Sequence, residues 1–423
     1  MAAREAEDRA WRTADVSWLV RVSVVVFISL LPFSSYVALL PAIQPEWEMS
    51  NSQSALVFSS YLAGYAASSL LLVPLTDRYP AAIVLLSGVV AAVLANIAFP
   101  LLATDAVTAS ALRFAAGAGH VAVYVPGIQL VARRFANRGR ATAVAVFVAA
   151  SYAGTTVSYI VTGALAGRTQ TWQDAYLYTA LLGVAGIFLW LTMLPEAWRA
   201  RERVTAPGSW RLSLGILRNR PTALMICAYS LHSAELYLAR LWLPLLMIAS
   251  LVRSGRDVVT ALPLAAALSG LMFASGVAGV FLGGVLSDRV GRTRAAIAIF
   301  GLSGACSFVL GWLMSAPFGV LVVFGFLYGF ATAADSAIYS ASVTELAPAG
   351  RVGSSQAIQS FAGFSIGALA PVIAGSILDF TRAADHGWGL AFSFNGALAI
   401  AGVAILLFLS RMPEAKALAG GKR

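Results

Sequence analysis

The sequence predicts an all-α membrane protein with twelve transmembrane helices in two pseudo-symmetric six-helix halves. Three observations predict it. Of 423 residues, 59% are hydrophobic and only 11% are charged, against about 25% charged in a soluble domain. Apolar runs long enough to cross a bilayer, about 20 residues each, recur from one end of the chain to the other. Polar landmarks between those runs repeat at a single offset. The composition excludes a water-soluble enzyme, which could not cover so much apolar surface, and excludes disorder, which needs low hydrophobicity.

The runs justify the helices one by one. The first half holds spans at 18–40, 52–73, 81–103, 107–132, 141–166 and 175–194. The second holds 222–250, 262–286, 295–314, 318–342, 354–378 and 390–410. None alternates polar and apolar in runs of about ten, so a β-barrel is rejected. Pro32, Pro126, Pro244 and Pro371 fall inside spans, which membrane helices tolerate. The first span is long and no small-residue cleavage site follows it, so it reads as a retained helix rather than a signal peptide. Between the halves lies the one long polar stretch of the interior, Pro195 to Arg220, with six Arg, two Glu and the pair Pro207-Gly208. It divides the chain into a first half (1–194), a linker (195–220) and a second half (221–423).

Basic residues mark the cytoplasmic side. With the N-terminus inside, twenty-three of the 29 Lys and Arg fall in inside segments, counting Arg21 at the inner end of the first span. Only Arg168, Arg253, Arg256 and Arg382 fall outside, and Arg113 and Arg240 lie within spans. That asymmetry places both termini in the cytoplasm, and the short-looped topology points to a bacterial inner membrane. The net charge of +10 is spread over short loops, so it reads as topology rather than nucleic-acid binding. Cys227 and Cys306 lie in apolar runs and read as small core residues.

Asp77-Arg78 follows span 2 and Asp288-Arg289 follows span 8; Gly139-Arg140 opens span 5 and Gly350-Arg351 opens span 11. Both pairs are 211 residues apart, which points to a duplicated six-helix unit of the kind transporters use. The segment Gly284-Val-Leu-Ser-Asp288-Arg289-Val-Gly291-Arg292 resembles the loop motif of the major facilitator superfamily, G-x-L-x-D-R-x-G-R. Its first-half copy keeps only Leu75, Asp77 and Arg78. Arg113-x-x-x-Gly117-x-Gly119 resembles that family's helix 4 motif, and the helix 5 motif of many drug–proton antiporters is missing between Gly154 and Gly163. The resemblance implies a fold in which spans 1, 4, 7 and 10 line a central cavity. It also implies that the loop cluster Asp77, Arg78, Gly284, Asp288, Arg289, Gly291 and Arg292 latches the cytoplasmic side. Physically, an Asp at one helix end accepts from the N–H groups opening another, Gly291 permits a tight turn, and the arginines reach groups of the opposite half.

Ionisable residues at bilayer depth are costly and mark function. Here they are Arg113 in span 4, Glu235 and Arg240 in span 7, and Asp335 in span 10, joined by His120 and His232. All fall on the spans that the resemblance assigns to the cavity. Arg113, Gly117, His120 and Tyr124 step by four, three and four and share a face; Tyr328, Thr332, Asp335 and Tyr339 repeat the steps. Arg113, His120, Tyr124, Arg240, Tyr36 and Tyr339 are therefore the expected substrate contacts. Glu235, Asp335 and His232 are the expected proton-coupling groups, because a carboxyl group that changes partners between conformations changes its proton affinity. The two arginines and two carboxylates are expected to offset one another by pairing. Structural ion pairing is the competing role for all of them. Gly279-x-x-x-Gly283 and Gly363-x-x-x-Gly367 are expected to let helices approach closely on spans that meet the opposite half. The second also has the form of a nucleophile elbow, but it lies inside a span rather than at a strand-to-helix turn.

No nucleotide motif, metal cluster or cofactor signature appears. The sequence thus predicts a secondary transporter working by alternating access, functional as a monomer in the bilayer and not an enzyme. Its expected activity is proton-coupled uptake of a small organic or inorganic anion. The alternatives are proton-coupled efflux of amphipathic compounds and a non-transporting membrane sensor.

Overall fold

A computed structural model describes residues 13–72, 79–135, 139–199, 214–348, 351–381 and 386–421. Asp77, Arg78, Gly350, Arg382 and most of the 195–220 linker lie outside the described residues. The helices are α1 (Thr13–Ser29), α2 (Ser35–Glu46), α3 (Asn51–Leu72), α4 (Ala81–Leu102), α5 (Ala106–Arg134), α6 (Arg140–Ala166) and α7 (Trp172–Arg199) in the first half. The second half holds α8 (Arg220–Arg253), α9 (Val258–Val290), α10 (Arg292–Leu310), α11 (Phe318–Ala334), α12 (Ser336–Leu346), α13 (Val352–Phe380) and α14 (Gly387–Ser410). No strand occurs among the described residues.

Eleven helical segments among the described residues are long and apolar enough to cross a membrane. The twelfth predicted span is broken. Pro32 has no N–H to donate and disrupts the helix, so span 1 divides into α1 of 17 residues and α2 of 12. Neither piece crosses a bilayer alone, but together they do. Span 10 also bends, at Asp335, which ends α11 and precedes α12. Both breaks fall on spans expected to line the cavity. Interrupted helices are tolerated at membrane depth where protein or a water-filled space satisfies the freed backbone.

Helix neighbours reveal the pseudo-symmetry. In the first half α1 packs on α6 and α7, α3 on α5, and α4 on α5 and α7. In the second half α8 packs on α13 and α14, α9 on α11, and α10 on α11 and α14. Numbered as spans, each pairing in one half recurs six spans later in the other. The two long seams between halves, α3 with α13 and α6 with α9, are also equivalent under that shift.

The glycine patterns let helices approach closely, as expected, and their partners lie in the second half. A side chain at Gly279 or Gly283 would strike the α11 backbone at Phe330 or Ala334, and one at Gly363 or Gly367 would strike Tyr229 or Tyr237 of α8. Both stripes therefore close contacts inside the second half rather than across the seam. Other glycines do serve the seams: Gly163 of α6 lies against Ala266 of α9, Gly270 of α9 against Thr156 and Ile160 of α6, and Gly375 of α13 against Asn51 of α3.

The seam at the bundle end opposite the termini is tied by a helix cap supplied from the other half. Ser50 and Gln53 form a reciprocal capping box at the start of α3, with bonds of 2.9 and 3.1 Å. The next unsatisfied amides, Asn51 and Ser52, donate to the two Asp379 carboxylate oxygens at 2.7 and 2.9 Å. Asp379 stands in the last turn of α13, and Gly375 one turn earlier lies against the Asn51 backbone. Replacing Asp379 with Ala is expected to weaken the seam by about 1 kcal/mol, the usual loss of a helix N-cap. Hydrogen exchange at Asn51 and Ser52 checks this: faster exchange is expected, and unchanged exchange would show the cap to be dispensable.

Two other helix starts carry aspartate caps. Asp105 accepts from Thr108 and Val107, and Asp257 from Thr260. Hydrogen bonds from the Thr108 and Thr260 backbones hold both carboxyls below the usual carboxylate value. The stability they contribute is present above that value and is lost as pH falls through the lowered one.

Candidate functional site

A cavity of about 400 Å³ lies between the halves. It is lined from the first half by Phe33, Tyr61, Tyr65, His120, Tyr124, Tyr152 and Thr155, and from the second by Tyr229, His232, Ser233, Tyr237, Arg240, Ser336, Ser340 and Phe364. The α8 residues 229, 232, 233, 236, 237 and 240 recur at helical spacing, so one face of that helix forms most of the second-half wall. Tyr65 stacks on Phe364 across the α3–α13 seam, with ring centroids 4.0 Å apart. The walls combine aromatic faces with hydroxyl groups, a pattern suited to ligands that carry both apolar and hydrogen-bonding surface.

The two intramembrane arginines converge on one ring from opposite halves. The Arg113 guanidinium carbon lies 6.0 Å from the Phe33 centroid and that of Arg240 lies 5.9 Å from it. Phe33 belongs to the non-helical link between α1 and α2. Arg240 lines the cavity, among Phe33, Tyr152 and Phe273. Arg113 is fully buried, with its guanidinium carbon 4.6 Å from the Tyr61 ring and 5.6 Å from the Tyr36 ring. Its Nη2 donates to the Phe33 carbonyl at 3.3 Å, one of the backbone groups freed by the break at Pro32. Arg113 Nε and Nη1 and Arg240 Nε have no hydrogen-bond partner among the described residues. No carboxylate pairs with either guanidinium there.

The carboxylates gather elsewhere. His232 Nδ1 stands 3.0 Å from Asp335 Oδ1, and Nε2 lies 2.9 Å from the Ser336 hydroxyl. His232 and Ser336 line the cavity, while Asp335 is buried behind them with Oδ2 unbonded among the described residues. Glu235 is fully buried; Oε2 accepts from Ser303 of α10 at 3.0 Å and Oε1 has no partner among the described residues. Both carboxyl groups thus lie within the second half, apart from the arginines. The expected pairing of two Arg with two carboxylates is not what the structure contains. Net neutrality is a sum over the cavity and carries no information about distance.

The other expected contacts divide between wall and backing. His120 and Tyr124 line the cavity. Both His120 ring nitrogens lack a partner among the described residues, and the ring lies 5.3 to 6.0 Å from those of Tyr65, Tyr61 and Tyr124. Tyr36 and Tyr339 sit one layer back and are fully buried. Tyr36 donates to the Ser54 carbonyl at 2.9 Å, and the Tyr339 ring lies 5.1 Å from that of His232.

Arg292 ties the 284–292 loop to α12 of its own half. Arg292 bridges Asp288 at 2.6 Å and Glu345 of α12 at 3.0 Å, and also donates to Ser287 at 2.7 Å. Gly291 has a φ of 100°, the turn that glycine was expected to allow. Arg289 and Asp288 are exposed, and a side chain at Gly284 would meet open space. The wall residues Phe33, Tyr61, Tyr65, Tyr152, Tyr229, Tyr237 and Phe364 are not among the expected contacts, because an uncharged aromatic residue does not stand out in an apolar span. The four-residue step of Tyr61 and Tyr65 and the periodicity along α8 were the signals available. Cys227 is exposed and Cys306 buried, both as free thiols.

Comparison with known proteins agrees with this architecture. A hexuronate transporter from Bacillus subtilis (strain 168) is 23% identical over 426 residues, spanning 92% of this chain and 94% of that protein. A bacterial homologue of the human lysosomal transporter Spinster, solved inward-facing and occupied, superposes with a TM-score of 0.73 at 14% identity, covering 95% and 98% of the two chains. The nucleoside transporter NupG superposes with a TM-score of 0.72 at 12% identity, covering 93% and 99%. The profile of the Major Facilitator Superfamily matches residues 22–279 and 259–423. The chain belongs to the Major Facilitator Superfamily and is a membrane transporter of that fold.

Proposed function

We propose that the protein imports a small organic anion together with protons, by alternating access, across a bacterial inner membrane with both termini cytoplasmic. The observation that carries this reading is the pair of guanidinium groups that no carboxylate of the described residues balances, one of them on the cavity wall. A buried charge without a counter-ion is costly, and a substrate carboxylate entering the cavity relieves that cost. The forked geometry of Arg suits a carboxylate. Six tyrosines and several Ser and Thr hydroxyls on the wall suit a polyhydroxylated body. The relative named as a hexuronate transporter is consistent with a sugar acid. Asp335 and Glu235, held apart from the anion-facing arginines, are assigned proton carriage, with His232 linking Asp335 to the cavity. Arg113, His120, Tyr124 and Arg240 are assigned to substrate, and Tyr36 and Tyr339 to positioning Arg113 and His232.

The aromatic wall would also suit efflux of amphipathic cations, so the test must separate the two. Thermal unfolding of the purified protein is measured with galacturonate, its uncharged parent sugar, inorganic phosphate and a cationic amphiphile. Stabilisation by galacturonate and none by the uncharged sugar is expected. Stabilisation by the cationic amphiphile with no response to any anion would overturn the anion reading.

A further inference from the structure

Arg113 lies one layer behind the cavity wall. Its guanidinium touches two wall residues, Tyr61 and Phe33, at 4.6 and 6.0 Å from their ring centroids, yet the residue itself is fully buried and does not line the cavity. Its hydrogen bond to the Phe33 carbonyl is 3.3 Å long, the Tyr176 hydroxyl stands near the guanidinium, and Nε and Nη1 make no hydrogen bond among the described residues. The two covering residues differ in how they are held. Tyr61 sits in the middle of α3, where its backbone is wedged against Gly117 of α5. Phe33 sits in the link between α1 and α2, where its N–H makes a turn bond to the Leu30 carbonyl at 3.0 Å and the flanking Leu31 and Ser34 backbones are tied to Ser158 of α6. On the cavity side the same Phe33 ring meets Arg240.

We propose that Phe33 is a shutter between the cavity and Arg113, and that its displacement by an incoming anion sets the selectivity of the site. The proposal rests on the anion reading above. Arg240 meets the anion first. The Phe33 ring interacts with both guanidinium groups only through its π face, a contact that a carboxylate replaces with a stronger charge-assisted one. A neutral analogue cannot make that replacement, so it leaves the shutter closed. Because Arg113 also holds the Phe33 carbonyl, engagement of the anion by Arg113 shifts the α1–α2 link and transmits binding to the first half. Charge is thus selected twice, once at the wall and once behind it.

Stopped-flow fluorescence with galacturonate tests this on the full-length protein. Association limited by a conformational step is slow, so Phe33→Ala is expected to speed it by at least about tenfold. In an Arg113→Gln background the same substitution is expected to leave the rate unchanged, since no second site remains to be uncovered. Phe33→Val is expected to fall between Ala and wild type, and Phe33→Leu, which keeps the bulk, near wild type. These variants keep the test available should Phe33→Ala fail to fold. Equal acceleration in both backgrounds would show a merely widened cavity and overturn the shutter, as would an unchanged rate in a folded Phe33→Ala or Phe33→Val protein. Carboxylate binding that depends on Arg240 without Phe33–Arg113 coupling overturns the shutter alone. Absence of any carboxylate binding overturns it together with the anion reading.

Discussion

Arg240→Gln is expected to weaken anion binding by about 2 kcal/mol or more, at least a thirtyfold rise in Kd, while leaving the melting temperature of the unliganded protein unchanged or raised. The two halves of this expectation come from one fact. Arg240 is almost fully buried and no carboxylate pairs with it among the described residues. Removing one member of a buried ion pair strands the other and costs several kcal/mol of stability. Removing an unpaired charge strands nothing and relieves a desolvation penalty. A structural role in holding the halves together therefore predicts a large fall in melting temperature, and a substrate role predicts lost affinity. Lys at this position is expected to restore little affinity, because a point charge does not reproduce the planar fork. Isothermal titration beside thermal unfolding separates the outcomes. A destabilised protein with wild-type affinity would return Arg240 to a structural role.

Asp335→Asn is expected to abolish accumulation against a gradient and to spare exchange of substrate for substrate. Asn fills the same space in the break between α11 and α12, so the local shape is retained, but it cannot carry a proton. His232, 3.0 Å away on the cavity side, is the proposed path by which that proton arrives. For one proton per monocarboxylate, wild-type vesicles are expected to reach about tenfold accumulation for each unit of pH gradient. The variant is expected to reach none, with counterflow intact. Accumulation at the wild-type level would remove Asp335 from coupling and leave Glu235 as the carrier to test next.

The fold was legible in the sequence because bilayer length, charge asymmetry and a repeat at one offset each point the same way. The break of span 1 was not. Pro32 was visible, but proline inside a membrane helix is compatible with either a bend or an interruption. What decides is the set of partners for the freed backbone, including Ser158, which bonds both the Leu31 carbonyl and the Ser34 N–H. Those partners, Arg113 among them, lie 80 to 127 residues away in sequence. The charged residues that would matter were equally legible, since any ion at membrane depth stands out. Their segregation was not, because Arg113 and Glu235 are separated by packing rather than by any local pattern. Tyr and Phe of the wall were hidden for the opposite reason: in an apolar span an aromatic residue is unremarkable until its neighbours are known. The cap by Asp379 shows the same limit. A carboxylate closing another helix was anticipated at the Asp288 loop, whereas such a cap across the seam is found at the far end of α13, where no motif marks it.

Coupled movement of an anion and a proton is measured directly in proteoliposomes enclosing a pH-sensitive dye. Addition of galacturonate outside is expected to acidify the lumen, and the signal is expected to vanish in both the Asp335→Asn and the Arg240→Gln proteins. Galacturonate entry without any pH change, or alkalinisation driven by a cationic amphiphile loaded on the opposite side, would contradict the account.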